Sequence, residues 1–460
     1  MISEINDGKY DRCIEPSDWR YSSAILGMKE YLDFIYSEKY EIQDDCLLYN
    51  SHEILEDKYL DFVEYKYPEE MYHKCVENKL NSDDFSDDDI KLVNEKLNGN
   101  SVMKKLFKGI KFDGSNKYEI IKIIDENRTN IIKETFRNKM NLYRNFCNTN
   151  ALFNDKQDSC RLLGYNIDAG KKGKSISYNF NTSKSYSQDF QEFDFIPFAF
   201  SGNRESFFIN DNSTIDNIVK TNTVFHRTLE NQKDNNMKNA RGVLLSAIIE
   251  SAEFIDYDVE VIQKNIDKSY FETLFLKKDS IDILKKMKDK VDYKIFDFSY
   301  KITDKYYINV LKKVMDCIIN QVFLDELIEL FIKKKDRSYL VKQLISINVL
   351  IRGGEEKMKK SMQGAYACAK RIMDNSNIQS NKIQSYKNKL VSAVIFKDYD
   401  RVCQILLQLS NYSNVKFDFV YDLFEDFEGN KELAYTFINT LGNYDKGIDN
   451  NNKTGGKGNE

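Results

Sequence analysis

The chain lacks most of what catalysis leaves in a sequence. Its 3 histidines, His52, His73 and His226, stand apart from one another. No His-Asp doublet, HExxH, GxSxG or phosphate-binding loop occurs. Gly353-Gly354 and Gly170-Lys171-Lys172-Gly173-Lys174 are too short and wrongly spaced for a Walker loop. A two-metal nuclease needs carboxylates clustered on a scaffold. The one dense acidic run, Asp83 to Asp89, reads as a solvated loop leading into a helix rather than as a metal site. His226, in Val224-Phe225-His226-Arg227, reads as a satisfied core or surface side chain. A non-enzymatic protein with no cofactor is therefore expected.

Other absences bear on location. No apolar run reaches the roughly 18 residues of a membrane-spanning helix. Met1 to Tyr10 carries Glu4 and Asp7 and no apolar stretch, so it does not read as a signal peptide. A cytoplasmic protein without a membrane partner is expected. The 8 cysteines, Cys13, Cys46, Cys75, Cys147, Cys160, Cys317, Cys368 and Cys403, form no CxxC pair. In a reducing compartment they read as buried, inert thiols. The 3 prolines and the abundant Asn, Lys and Ile mark a compositional bias, not a structural class.

What is present is a long, foldable and electrically lopsided chain. Its 460 residues imply two or three domains, and its 41% apolar content suffices for a sizeable core. The 29 Tyr and 30 Phe argue against disorder. The net charge of -5 conceals an asymmetry. Met1 to Glu95 holds 10 Lys+Arg against 25 Asp+Glu, while Lys333 to Arg401 holds 16 against 6. The acidic part suits protein partners and the basic part suits phosphate, unless both are ordinary solvated helix faces.

The hydrophobic pattern predicts an α+β protein. Ser22-Ser23 are placed to cap a helix carrying Ile25, Met28, Leu32 and Ile35. Tyr40 to Tyr49 reads as extended. Helices are expected over Ile90 to Leu97 and Lys117 to Phe146. Between about Asn148 and Asn222, Gly, Ser, Asn and aromatic residues dominate. There Ser175 to Phe180, Phe193 to Phe200 and Ser206 to Ile209 read as strands, with a turn at Ser201-Gly202-Asn203. Helices are then predicted over Ala240 to Phe254, Ser269 to Asp289, Lys305 to Phe331, Tyr339 to Leu350, Glu355 to Met373, Asn377 to Phe396, Asp398 to Leu409, Phe417 to Phe427 and Lys431 to Leu441. The short connections after Gly353 suggest a bundle. This divides the chain into a mixed region 1–222, a helical connection 223–345, a basic helical bundle 346–442 and a disordered tail 443–460.

Two regions have the composition of nucleic-acid contacts. In Gly170 to Lys174, Lys171, Lys172 and Lys174 are set among glycines that let a backbone approach closely, and Asn203-Arg204 follow Gly202. An exposed hairpin tip is the alternative for both. On Glu355 to Met373, Met358, Met362, Ala365, Ala369 and Ile372 form an apolar stripe. Lys360, Gln363, Lys370 and Arg371 fall toward the other side. Lys382, Lys387 and Lys389 crowd the next helix, and Arg352 precedes the Gly pair. A bundle with one basic wall can follow a strand without reading its sequence.

Three patches then resemble the large subunit of type I-B CRISPR interference complexes (Cascade). They are Trp19-Arg20-Tyr21 with Ala24-Ile25-Leu26-Gly27; Phe193 to Phe200 continuing through Glu205 to Asn210; and Lys397 to Leu409 with Ala434 to Gly442. The resemblance implies a non-catalytic subunit of an RNA-guided antiviral DNA-binding complex. It would recognise the protospacer-adjacent motif, aid duplex opening and recruit the helicase-nuclease. Guide RNA, double-stranded target DNA and the backbone, guide-processing and small subunits would be its partners. The resemblance also implies that the C-terminal bundle is sometimes made separately from an internal start, for which Met315, Met358 and Met362 are candidates. Relatives often carry paired cysteines resembling a zinc ribbon mid-chain. Here Cys147 and Cys160 have no CxxC partner, so no zinc is expected and other packing must hold Asn145 to Tyr165. The competing functions are a stand-alone metal-dependent nuclease and a helical interaction scaffold without nucleic acid.

Overall fold

The computed structural model describes the chain except residues 6–7, 83, 154–159, 166–188, 203–204, 212–213, 232–239, 252–254, 256, 289, 335–336, 355 and 443–460. The strand expected at Ser175 to Phe180 and the tail 443–460 lie outside the described residues. Two units are present, Met1–Asn236 with Glu250–Lys278, and Met237–Ile249 with Asp279–Glu460. The class is α+β, as the sequence indicates: small antiparallel sheets among helices, then a helical C-terminal region.

In the first unit, β1 (Ile2–Glu4) pairs antiparallel with β2 (Arg12–Ile14), Ile2 opposite Ile14. After α1 (Trp19–Phe34), β3 (Tyr40–Ile42) and β4 (Leu47–Tyr49) complete a sheet of order β1-β2-β4-β3. The extended stretch expected at Tyr40 to Tyr49 is this hairpin. The helix cap differs from expectation. Asp18 caps α1, its carboxylate accepting from the Arg20 N–H at 2.8 Å. Ser22 and Ser23 lie buried inside the helix and donate to the carbonyls of Asp18 and Arg20. Trp19 is the first helical residue, so the apolar period used to place the start began one turn late.

Gly27 explains why α1 lies where it does. A Cβ there would sit 2.1 Å from the Phe195 carbonyl oxygen, so only glycine lets the helix approach that backbone. Around this contact Trp19 meets Phe200, Tyr21 meets Phe193, and Tyr31 meets Phe195. Two of the three patches that carry the family resemblance are therefore packed on each other.

The segment Phe193 to Phe200 is not the strand its aromatic content predicts. A 3-10 turn over Gln191–Phe195 leads into α8 (Ile196–Ala199). Every side chain from Phe193 to Phe200 is buried, so no alternating face exists for a half-exposed strand to use. The preceding helices of this unit are α2 (Glu56–Lys66), α3 (Tyr72–Leu80), α4 (Asp87–Leu97), α5 (Ser101–Leu106), α6 (Lys117–Asn138) and α7 (Tyr143–Phe146). The acidic run does lead into a helix: Ser86 and Asp89 form a reciprocal capping box at the start of α4, where carboxylates favour the helix dipole. The single helix expected over Lys117 to Phe146 is split between α6 and α7. Lys139 is extended at the break, and its ammonium pairs with Glu70.

Further on, β5 (Glu205–Asp211) confirms the strand predicted at Ser206 to Ile209. Gly202 ends the preceding turn at φ +114, where a Cβ would meet the Glu205 carbonyl at 2.1 Å. Next comes α9 (Ile215–Asn231), whose buried Asn222 hydrogen-bonds both the N–H and the carbonyl of Ile209. β6 (Val259–Asn265) and β7 (Phe271–Leu276) complete a sheet of order β5-β6-β7. The predicted helix Ser269 to Asp289 is thus half strand. Aromatic and β-branched positions at Phe271, Thr273 and Phe275 find a ladder partner in β6.

Two charged clusters hold the unit together. Arg161 has 0% side-chain exposure and pairs with Asp194 at 2.6 Å and Asp189 at 2.8 Å. Its Nη2 donates to the Phe190 carbonyl. Asp194 also accepts from the Phe153 N–H and the Tyr143 hydroxyl, both at 2.8 Å. Burial raises the Asp194 carboxyl to about 6, against the pull of Arg161 and these donors. Backbone bonds from Asn148 to Arg161 and from Leu163 to Phe146 close the loop between buried Cys147 and Cys160. This packing holds the described residues 145–153 and 160–165. The second cluster joins α2, α3 and α6. Glu64 accepts from His73 at 2.6 Å and Arg128 at 2.7 Å, and Arg128 also pairs with Glu77 and Asp125.

The second unit opens with α10 (Ala240–Ser251), whose last two residues belong to the first, and α11 (Lys278–Met287). The helix expected over Lys305 to Phe331 is three elements. β8 (Ser299–Thr303) and β9 (Tyr306–Asn309) form a two-stranded ribbon. α12 (Val310–Ile319) follows, capped by Asn309, and Gln321 at φ 54 separates it from α13 (Asp325–Lys334). The remaining helices match expectation within a few residues: α14 (Ser338–Ile351), α15 (Glu356–Asp374), α16 (Ser380–Ile395), α17 (Tyr399–Ser413), the shorter α18 (Val420–Glu425) and α19 (Lys431–Thr440). Gly353 and Gly354, both at positive φ, terminate α14, their N–H groups bonding the Leu350 and Val349 carbonyls. Buried Asn348 of α14 accepts from the Leu324 N–H and donates to Asp325, fixing the start of α13.

Replacing Arg161 by Met leaves two buried carboxylates without their counter-charge. Urea unfolding should show the first unit destabilised by about 3–5 kcal/mol, and an unchanged midpoint would refute the central role given to this pair. Glu64 supplies a pH test. Burial alone would raise its carboxyl, but the His73 and Arg128 hydrogen bonds and the Lys74 and Arg128 charges hold it down to about 2. Its folded value lies below the unfolded one, so its contribution is present above about 4.5 and fades as pH falls toward about 2. Across that window the Tm of the Glu64→Gln protein should fall less steeply than that of the parent.

Candidate nucleic-acid interface

Three helical stripes in the second unit converge on one groove. On α14, Tyr339, Lys342, Ser346 and Val349 recur at spacings of three and four residues, which places them on one face. On α15, Lys359, Met362, Gln363, Tyr366 and Lys370 do the same. Thr436, Asn439 and Thr440 of α19 lie between them. Because α19 packs against both α14 and α15, the latter two form walls and α19 the floor. Lys290, just past α11, closes one margin. The groove has a volume of about 730 Å³.

Its electrostatics are one-sided. Four lysines line it and, among the described residues, no carboxylate does. Tyr339 is 54% exposed and Tyr366 46%, and the Lys370 ammonium lies 5.8 Å from the Tyr366 ring centroid. Cations that neutralise phosphate, set beside exposed rings on which bases stack, are the two ingredients of single-strand grooves.

The structure distributes the sequence-predicted residues unevenly. Lys171, Lys172, Lys174, Asn203 and Arg204 lie outside the described residues. Lys370 lines the groove. Lys360 and Arg371 are exposed on α15, each one residue past a groove-lining lysine, and Lys382 is exposed on α16. Lys387 is buried on α16, its stem against Gly442. Arg352 is occupied within the fold: its Nε lies 3.0 Å from both oxygens of buried Glu432, and Nη2 donates to the Glu428 carbonyl. Its guanidinium also covers Phe323 at 4.1 Å. Burial raises the Glu432 carboxyl and Arg352 pulls it back. The apolar stripe of α15 divides likewise. Ala365, Ala369 and Ile372 are core, whereas Met362 reaches the groove and Met358 a second cavity beside Arg352 and Lys357.

Lys290, Tyr339, Lys342, Lys359 and Tyr366 were not singled out by the sequence. Their helical spacing was visible, but the floor that turns two separate stripes into a groove lies some seventy residues further along, in α19. Among the described residues, no three His, Cys, Asp or Glu converge as metal ligands, and no helix is long and apolar enough to cross a membrane. None of the 8 cysteines forms a disulfide, and every one but Cys75 is buried.

The α+β frame carries a basic, ring-lined groove on its helical unit, and comparison with protein families supplies the class of the chain. The chain is CRISPR-associated: it belongs to the family of CRISPR-associated protein Csx8, whose model matches residues 10–241 and 218–441. No curated protein and no solved structure matches it.

Arg352 can be separated from the exposed lysines by a stability measurement. Arg352→Ala leaves Glu432 buried without its partner and should cost about 3 kcal/mol in urea unfolding, whereas Lys360→Ala should change stability by less than about 0.5 kcal/mol.

Proposed function

We propose that this chain is the non-catalytic large subunit of a type I-B CRISPR interference complex. In that role it recognises the protospacer-adjacent motif, aids duplex opening and recruits the helicase-nuclease, and its C-terminal helical unit holds nucleic acid along the groove of α14, α15 and α19. The observation that carries the nucleic-acid part is the groove itself: four lysines and two exposed tyrosines with no lining carboxylate among the described residues. Family membership supports the setting. Lys171, Lys172, Lys174, Asn203 and Arg204 remain the sequence-based candidates for the flanking motif. The partners follow from the same reading: guide RNA, double-stranded target, the backbone, guide-processing and small subunits, and the nuclease that cuts.

The competing enzyme reading, a metal-dependent nuclease, has no matching ligand cluster among the described residues. Incubating the purified chain with DNA and magnesium or manganese tests it, and sustained cleavage would displace the proposal. For the groove, the variant carrying Lys342→Glu, Lys359→Glu and Lys370→Glu should bind nucleic acid more weakly. The slope of log K against log salt should shrink by about 0.7 per lost phosphate contact, or roughly 2 in all. An unchanged slope would remove the groove from the interface.

A further inference from the structure

Resting on that reading and deepening it, we infer that the groove takes an unpaired strand and grips it by its bases, stacked on Tyr339 and Tyr366, rather than by its phosphates alone. Three features of the groove point this way.

The first is width. Helices packed on a common neighbour lie about 8–10 Å from it, so the axes of α14 and α15 are at most about 20 Å apart. Each helix with its side chains is about 10 Å across, which leaves a gap of at most about 10 Å. One strand with its bases is the most that such a slot admits. A duplex, whose major groove alone is about 12 Å wide, does not.

The second is the state of the two rings. Tyr435 buries its ring and donates its hydroxyl to Glu329. Tyr339 and Tyr366 are among several tyrosines of the chain that stay about half exposed or more, and what sets this pair apart is that both line the groove. They stand on opposite walls, each on the face that looks into the slot.

The third is order along the walls. On α14 a ring is followed one turn later by a cation, Tyr339 then Lys342. On α15 the ring of Tyr366 lies about 10 Å beyond Lys359 and about 6 Å before Lys370 at helical rise. Rings and ammonium groups therefore alternate, as bases and phosphates do along a strand. At the rim, Gln363 offers an exposed amide that can hydrogen-bond a base edge or a sugar hydroxyl. Stacking tolerates any base, so the grip is indifferent to sequence.

The test uses the full-length chain and fluorescence anisotropy with labelled twelve-residue probes: a base-bearing single strand, an abasic strand of the same length, and a duplex. The base-bearing strand should bind at least about tenfold more tightly than the abasic one, and the duplex should not exceed the abasic strand. Tyr339→Ala with Tyr366→Ala should abolish that preference and leave abasic binding unchanged, while Tyr339→Phe with Tyr366→Phe should retain it. Equal binding of base-bearing and abasic strands by the parent protein would overturn this inference and leave phosphate binding by the groove intact. No binding of any probe would overturn both. DNA and RNA versions of each probe identify which sugar the groove accepts. Both tyrosines are surface residues, and a thermal melt confirms that the variants are folded.

Discussion

Arg161 carries a full charge at 0% side-chain exposure, and the described residues around it are organised to make that tolerable. Removing a guanidinium and a carboxylate from water costs several kcal/mol per ion, and only near-complete hydrogen bonding offsets it. Here Arg161 reaches Asp189, Asp194 and the Phe190 carbonyl, while Asp194 gathers donors from Phe153 and Tyr143. Tyr59 of α2 donates to the Asp194 carbonyl from the other side. One ion pair thereby fixes the hairpin around Cys147 and Cys160, the turn before α8 and, through Phe195, the bed on which α1 lies at Gly27. Among the described residues, this bracing comes from charge buried among rings.

The parts of the fold legible in the sequence were those in which one local signal suffices. The long amphipathic helices α14 to α17 and α19 follow from apolar spacing, and β5 from an aromatic-rich run after a glycine turn. The misread segments are those whose environment is set from far away. Phe193 to Phe200 looks extended because aromatic runs favour strands, yet it is submerged on all sides by α1, α2 and the Arg161 cluster. Ser269 to Leu276 looks helical in isolation and becomes a strand because β6 offers a ladder. At Ser22-Ser23 two good cap residues were outbid by an Asp four positions earlier.

The groove was legible in charge but not in shape. The basic excess between Lys333 and Arg401 falls on helices that line it, and Lys370 is one of its lysines. Charge alone cannot separate a cation that faces solvent from one that holds the bundle together. Arg352 and Lys387 illustrate the second kind: the first is matched by Glu432 and the second is buried. Nor does charge find the tyrosines, which matter for where their rings stand rather than for what they carry.

The dependence of the groove on α19 has a consequence at the level of the gene. A product translated from Met315 would begin within α12 and retain both walls and the floor, although not Lys290. One translated from Met358 would have no α14, so Tyr339 and Lys342 would be gone and the slot would be open on one side. One from Met362 would lose Lys359 as well. The architecture thus ranks the three start codons by how much of a strand-holding surface each would encode, and only the first encodes a channel rather than a ledge.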